Sequence, residues 1–130
     1  MRRLVLLALC ACAMPQPPPG SAGPAEAVQD LAAALQKGDA ATAWSLLSTR
    51  TQKQADAIAA QARSAAGDAG PESGRAMLFA SALPGSAVEA RVVSQTGDSA
   101  EVQTGGDGGT GTWRVVREGG RWRVDLDLPR

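Results

Sequence analysis

"TWRVVREGGRWRVDLDL" runs from Thr112 to Leu128, and its two halves mirror each other about Gly119-Gly120. Apolar and polar side chains alternate on either side of the glycines, which is the period of a strand with one covered face. Gly-Gly between two such runs is a two-residue hairpin signal. Setting Glu118 opposite Arg121 fixes the register by counting. Trp113 then lies opposite Leu126, Val115 opposite Val124 and Arg117 opposite Trp122, all on one face. The other face pairs Arg114 with Asp125 and Thr112 with Asp127. A slip of one residue would exchange the faces, so the stretch predicts an antiparallel sheet with one greasy side and one charge-matched side.

Upstream, "SAVEARVVSQT" (86–96) and "SAEVQT" (99–104) flank Gly97-Asp98, a second hairpin signal. That brings the sheet to about four strands. Before them the period changes to that of helices. Val28, Leu31, Ala32 and Leu35 recur at one face of a helix that Pro24 starts and Gly38 ends. Asp39 suits the N-cap of a short second helix with Ala43, Trp44 and Leu47 inward. Thr49 is placed to cap a third, Arg50 to about Ala66, with Ala55, Ile58, Ala59 and Ala62 inward. That face is nearly all alanine and buries little area per position. "GDAGPESG" (67–74) then breaks the chain before a short apolar segment, Arg75 to Leu83, which Pro84-Gly85 ends.

The reading is α+β: about three N-terminal helices packed on a curved antiparallel sheet of about four strands, within residues 25–130. "LAAALQKGDAATAWSLLS" (31–48) and the terminal hairpin Trp113 to Leu128 carry a resemblance to small bacterial members of the nuclear transport factor 2-like superfamily, the cone-shaped α+β fold. The resemblance frames about 100 residues. No early β-hairpin is apparent between Ser48 and Pro84, which departs from the fuller plan of that superfamily. Its enzymes are isomerases, dehydratases and polyketide cyclases that place His, Asp or Tyr inside the cone, and it includes many non-catalytic domains.

This chain contains neither histidine nor tyrosine, which removes the commonest general acid–base, the commonest metal ligand and a phenolic donor together. Alternation places Asp125, Asp127, Glu101 and Glu118 in solvent. The expectation is no catalytic residue, no metal and no cofactor. The glycine-rich "TGGDGGTGT" (104–112) has no Lys-Ser or Lys-Thr after it and no helix following, so it is read as a connection between strands, not a phosphate loop. Trp44, Trp113 and Trp122 are three of only four aromatic residues. As the largest groups available to an alanine-rich core they are read first as packing. The alternative is that they line a pocket for a small apolar ligand on the concave side of the sheet.

The other end of the chain addresses location. "MRRLVLLALCACAMPQPPPG" (1–20) has a basic start, an apolar run from Leu4 to Leu9, and both cysteines of the protein, two residues apart. A basic n-region, an apolar h-region and a small-residue processing site describe an export signal. The run is far below the roughly 20 residues that cross a bilayer. A disulfide at this spacing is strained, and a lone CxC gives zinc two ligands. Leu9-Cys10-Ala11-Cys12 resembles the lipobox of a bacterial lipoprotein, with Cys12 as the acylated residue. Ala11-Cys12-Ala13 also suits ordinary signal peptidase, which would release a soluble periplasmic or secreted chain from Met14. Ala13 after the cysteine, by the sorting rules that the resemblance implies, favours the outer membrane in a Gram-negative cell.

The expected organisation is therefore a lipoprotein signal peptide at 1–11, a lipidated Cys12 with a proline-rich tether at 12–24, and one domain at 25–130. Proline fixes φ and removes donors, so the tether is read as an extended spacer. Lysine plus arginine and aspartate plus glutamate each total 13; no strong charge of either sign marks a nucleic-acid partner. The C-terminal arginines have their own partners in the register: Asp125 faces Arg114, and Arg117 lies across Trp122 as a cation–π contact. The expected partners are a membrane, through the lipid anchor, and an unknown protein or envelope polymer, with no nucleic acid. The main functional expectation is a non-catalytic envelope lipoprotein. A periplasmic carrier or sensor of a small apolar ligand comes second, and an enzyme of the same fold third.

Overall fold

Both hairpin signals fold as hairpins. The computed structural model describes residues 19–79, 89–105 and 110–128. Its four strands are β1 (Glu89–Thr96), β2 (Ser99–Gly105), β3 (Gly111–Glu118) and β4 (Arg121–Asp125). They form one antiparallel sheet in the order β1-β2-β3-β4. Gly119 and Gly120 take φ of 58° and 78°, the left-handed region that the primed turns favoured in hairpins require. The pairs Glu118–Arg121, Arg117–Trp122, Val115–Val124 and Arg114–Asp125 are all in the expected register. A bulge at Val93 shifts the β1–β2 register between Val92 and Ser94.

The β3–β4 ladder stops at Arg114–Asp125, short of the expected Trp113–Leu126 and Thr112–Asp127 pairs. The cause is a competing partner. Leu126 donates its N–H to Thr51 Oγ1 at 2.8 Å and accepts from the same hydroxyl at 3.1 Å. Gln54 Nε2 donates to the Leu128 carbonyl at 2.9 Å. Side chains of a helix thus replace a strand as the hydrogen-bond partner of residues 126–128.

The helices are α1 (Pro24–Gln36), α2 (Ala40–Ser45), α3 (Thr49–Ala66) and α4 (Gly74–Phe79), with a 3-10 turn at Gly67–Ala69. Pro24 opens α1, where its missing N–H costs nothing. Asp39 caps α2 by accepting from the Thr42 N–H at 3.1 Å. The cap of α3 is Ser48, not Thr49: its oxygen accepts from the Thr51 N–H at 3.1 Å, one residue earlier than expected. The described residues hold four α-helices, where about three were expected. The extra one comes from the short apolar segment after Gly74, which coils and packs on α3. Gly74 permits that approach, since a Cβ there would lie 2.5 Å from the Asp56 backbone nitrogen. The remainder of the expected segment, Ala80 to Leu83, lies outside the described residues.

Helix α1 lies across all four strands and buries Ala27, Val28, Leu31 and Ala34. With Ala43, Leu46, Leu47, Ala100, Val102, Val115, Trp122 and Val124 these side chains make one core. The buried stripe of α1 is rotated slightly from the expected one, leaving Ala32 and Leu35 half-buried. Helix α3 reaches the sheet only at its first turn and otherwise packs Ala55 and Ala59 toward α4.

The outer edge of β4 is closed by two short segments. Ser21 pairs antiparallel with Trp122 and Leu47 pairs parallel with Val124. The backbone bonds are Ser21 N–H to Trp122 O at 2.8 Å, Trp122 N–H to Ser21 O at 2.9 Å, Val124 N–H to Leu46 O at 2.7 Å and Ser48 N–H to Val124 O at 2.8 Å. A covered edge is one way a sheet avoids pairing with other chains. The last residues of the expected tether, Pro19 to Gly23, therefore lie against the domain.

Candidate functional site

Cys12, the expected lipid-attachment residue, lies outside the described residues. Of the three tryptophans, Trp122 is 4% exposed within the core, while Trp44 and Trp113 are partly buried against it. Trp113 donates its indole N–H to Thr104 Oγ1 at 3.1 Å. The Arg117 guanidinium stands 5.5 Å from the Trp122 ring centroid, the expected cation–π contact. Arg117 also bonds Asp98 Oδ1 at 2.6 Å across the two turns of the meander. Core packing thus accounts for Trp122. Among the described residues, four surface hollows of about 360 to 480 Å³ are lined without any tryptophan.

The most constructed polar cluster lies where α3 begins. Asp125 is 7% exposed, which corrects its expected place in solvent. Alternation puts it on the polar face correctly, but that face is covered here by Ser48 and Arg50. Ser48 Oγ donates to Asp125 Oδ1 at 2.6 Å. Arg50 donates from Nε to Oδ1 at 3.1 Å and from Nη2 to Oδ2 at 2.9 Å, a forked pairing. Arg50 Nη1 also reaches Asp127 at 2.9 Å, and Arg114 stands 3.8 Å from Asp125. Asp127 is exposed as expected. Glu118 is half-buried instead, accepting from the Thr49 N–H at 3.1 Å and pairing with Arg123 at 3.1 Å.

Burial pushes the Asp125 carboxyl up. The hydrogen bonds from Arg50 and Ser48, then the charges of Arg50 and Arg114, outweigh it and hold the group below the ordinary carboxylate value. Arg50 is correspondingly raised by its hydrogen bonds to Asp125 and Asp127. Asp125 is therefore ionised at neutral pH with its oxygens occupied, which suits a structural anchor and not a proton acceptor. Around it, Ser94, Thr96, Ser99, Glu101, Arg114 and Arg50 line an open hollow of about 480 Å³ on the sheet face away from α1. No group of three or more His, Cys, Asp or Glu side chains with metal-binding geometry occurs among the described residues.

A second cluster gathers where the chain enters the domain. Arg121 Nη2 donates to the Gly20 carbonyl at 2.8 Å, Arg123 Nε to the Pro19 carbonyl at 3.3 Å, and the Ser21 hydroxyl to Asp30 Oδ2 at 2.5 Å. Ser21 is buried. Arg121 Nε is buried without a protein partner beside a hollow of about 370 Å³ lined by Lys37, Asp39, Thr42 and Ser45. Ser21 escapes a reading of the sequence because its surroundings, proline and glycine on both sides, look like spacer. Ser48 and Arg50 escape it because their partner Asp125 is 77 and 75 residues away. Compared with models of known families, with curated proteins and with solved structures, the chain matches none.

Proposed function

We propose that this protein is a bacterial envelope lipoprotein, anchored through an acylated Cys12, that presents one small non-catalytic domain to a protein or envelope polymer. The domain is of the nuclear transport factor 2-like kind, a reading supported by helices that precede an antiparallel sheet in meander order. One observation carries the anchoring role. The chain leaving the proline tract is fastened into the sheet, with Ser21 exchanging both backbone hydrogen bonds with Trp122. An N-terminal attachment is thereby connected directly to the fold and not to a loose end.

The non-catalytic part rests on chemistry. Asp125 is the one charged side chain in the buried set of the described residues, and its oxygens are committed to Ser48 and Arg50. The anchor itself has an energetic requirement, since one acyl chain gives marginal attachment and two or more hold a protein stably. The diacylglyceryl and amide-linked chains of a mature lipoprotein meet it.

Fractionation of cells expressing the full chain tests this. The wild type should sediment with membranes and be released by detergent. A Cys12→Ser variant should lose membrane association or accumulate with its leader uncut. Equal amounts of mature wild type and variant in the soluble fraction would remove the proposal.

A further inference from the structure

We infer that Pro19 to Ser21 form a clasp on the outer edge of β4 that sets how far the domain stands from the bilayer. The inference rests on the lipoprotein reading for the bilayer, and on the geometry alone for the clasp. Four features build the clasp. Ser21 is buried and pairs with Trp122 through both backbone groups. Its hydroxyl is held by Asp30 of α1. The two preceding carbonyls, Gly20 and Pro19, accept from Arg121 and Arg123 of β4.

Gly20 is the fourth. It has φ of 120°, and a Cβ there would lie 2.7 Å from the Arg121 Cβ and 2.9 Å from the Trp122 carbonyl oxygen. Both the backbone conformation and the close approach exclude a side chain. The segment is thus shaped to β4 at each of its three residues.

The consequence is a shorter leash. Cys12 and Pro19 are seven residues apart in the sequence, and a chain spans at most ~3.6 Å per residue, so the clasp keeps the entry point within about 25 Å of the acylated residue. Were the chain free as far as Pro24, twelve residues from Cys12, the same limit would be about 43 Å. A domain of this size has a radius of gyration of about 13 Å. Partners must therefore meet it in the layer next to the membrane, and opening the clasp extends that layer outward by up to about 18 Å.

Two measurements test this on the full chain. Hydrogen exchange of the unaltered protein should show the Ser21 amide protected as strongly as the Val124 amide; exchange at the rate of a free peptide would overturn the clasp. For the reach, the acylated protein is placed in phosphatidylethanolamine–phosphatidylglycerol vesicles that carry a headgroup acceptor dye. A donor is attached at Lys53→Cys on the exposed side of α3. Gly20→Val should lower energy transfer relative to the parent while leaving the far-ultraviolet spectrum unchanged. Equal transfer in the two proteins would overturn the reach. An unacylated parent would instead overturn the lipoprotein reading and the reach together, with Ser21 protection left standing, so the two failures are distinguishable.

Discussion

Trp122→Ala is expected to cost the domain about 3–5 kcal/mol, read from urea unfolding followed by circular dichroism. Trp122 is nearly inaccessible, contacts the core formed by α1 and the sheet, and carries the Arg117 guanidinium against its ring. Its removal leaves a cavity in a core otherwise built largely of alanine, valine and leucine, where few large side chains are available to collapse into the space. A small domain has about 5–15 kcal/mol in total, so the variant should be close to unfolding at room temperature. Trp113→Ala, at a partly exposed position with one hydrogen bond to Thr104, should cost less. A loss below about 1 kcal/mol for Trp122→Ala would mean that the core does not depend on this residue.

The second large effect centres on Asp125. Removing its carboxylate by Asp125→Ala takes away both acceptors of the Arg50 fork and the buried acceptor of the Ser48 hydroxyl, leaving Arg50 its bond to Asp127 and Ser48 its contact with Thr51 Oγ1. Breaking a fully buried pair typically costs about 3–5 kcal/mol; Arg50 is half-exposed and water replaces part of what it loses, so about 2–4 kcal/mol is expected. The effect has a pH signature. The folded Asp125 titrates below its unfolded value of 3.8, so its contribution is complete above that pH and is lost as pH falls through the lower folded value. Asp39 is also lowered, by the Thr42 side-chain and backbone hydrogen bonds, and acts in the same direction. Comparing wild type with Asp125→Asn isolates the first. Unfolding free energies between pH 2 and 6 should fall less steeply with acid in the variant. Parallel curves would show that the carboxylate is not the coupling between α3 and the sheet.

Much of the fold was legible because it is encoded locally. The hairpin Gly119-Gly120 fixes register through a period of two, and the pairs from Glu118–Arg121 to Arg114–Asp125 come from counting alone. Asp39 and Pro24 mark helix starts by their own chemistry. The features that escaped were set by contacts distant in sequence. Alternation assigns Asp125 to the polar face, but only the arrival of Ser48 and Arg50 from the other half of the chain makes that position buried. Leu126 has the apolar character of a strand residue, yet Thr51 takes its hydrogen bonds. Ser21 pairs with Trp122 across 101 residues, a distance at which composition shows only proline and glycine. Of the candidate residues, the tryptophans stand out by type, and Trp122 packs in the core as their size suggests, whereas the clasp and the Asp125 cluster depend on closure of the fold.

Among the described residues no segment pairs with the outer edge of β1, in contrast to the closed edge at β4. Val92 and Val93 are 37% and 48% exposed, and the bulge between Val92 and Ser94 interrupts the regular ladder. Bulges are one of the devices that blunt an edge against pairing with another chain. Among the described residues, the β4 edge thus carries paired covering segments and β1 carries a bulge.

The anchor is tested most directly by the mass of the intact mature protein extracted from its native membrane. The account predicts a chain beginning at Cys12 that carries a thioether-linked diacylglyceryl group and an amide-linked acyl chain. An unmodified chain beginning at Met14, or one that retains Met1 to Ala11, would contradict it.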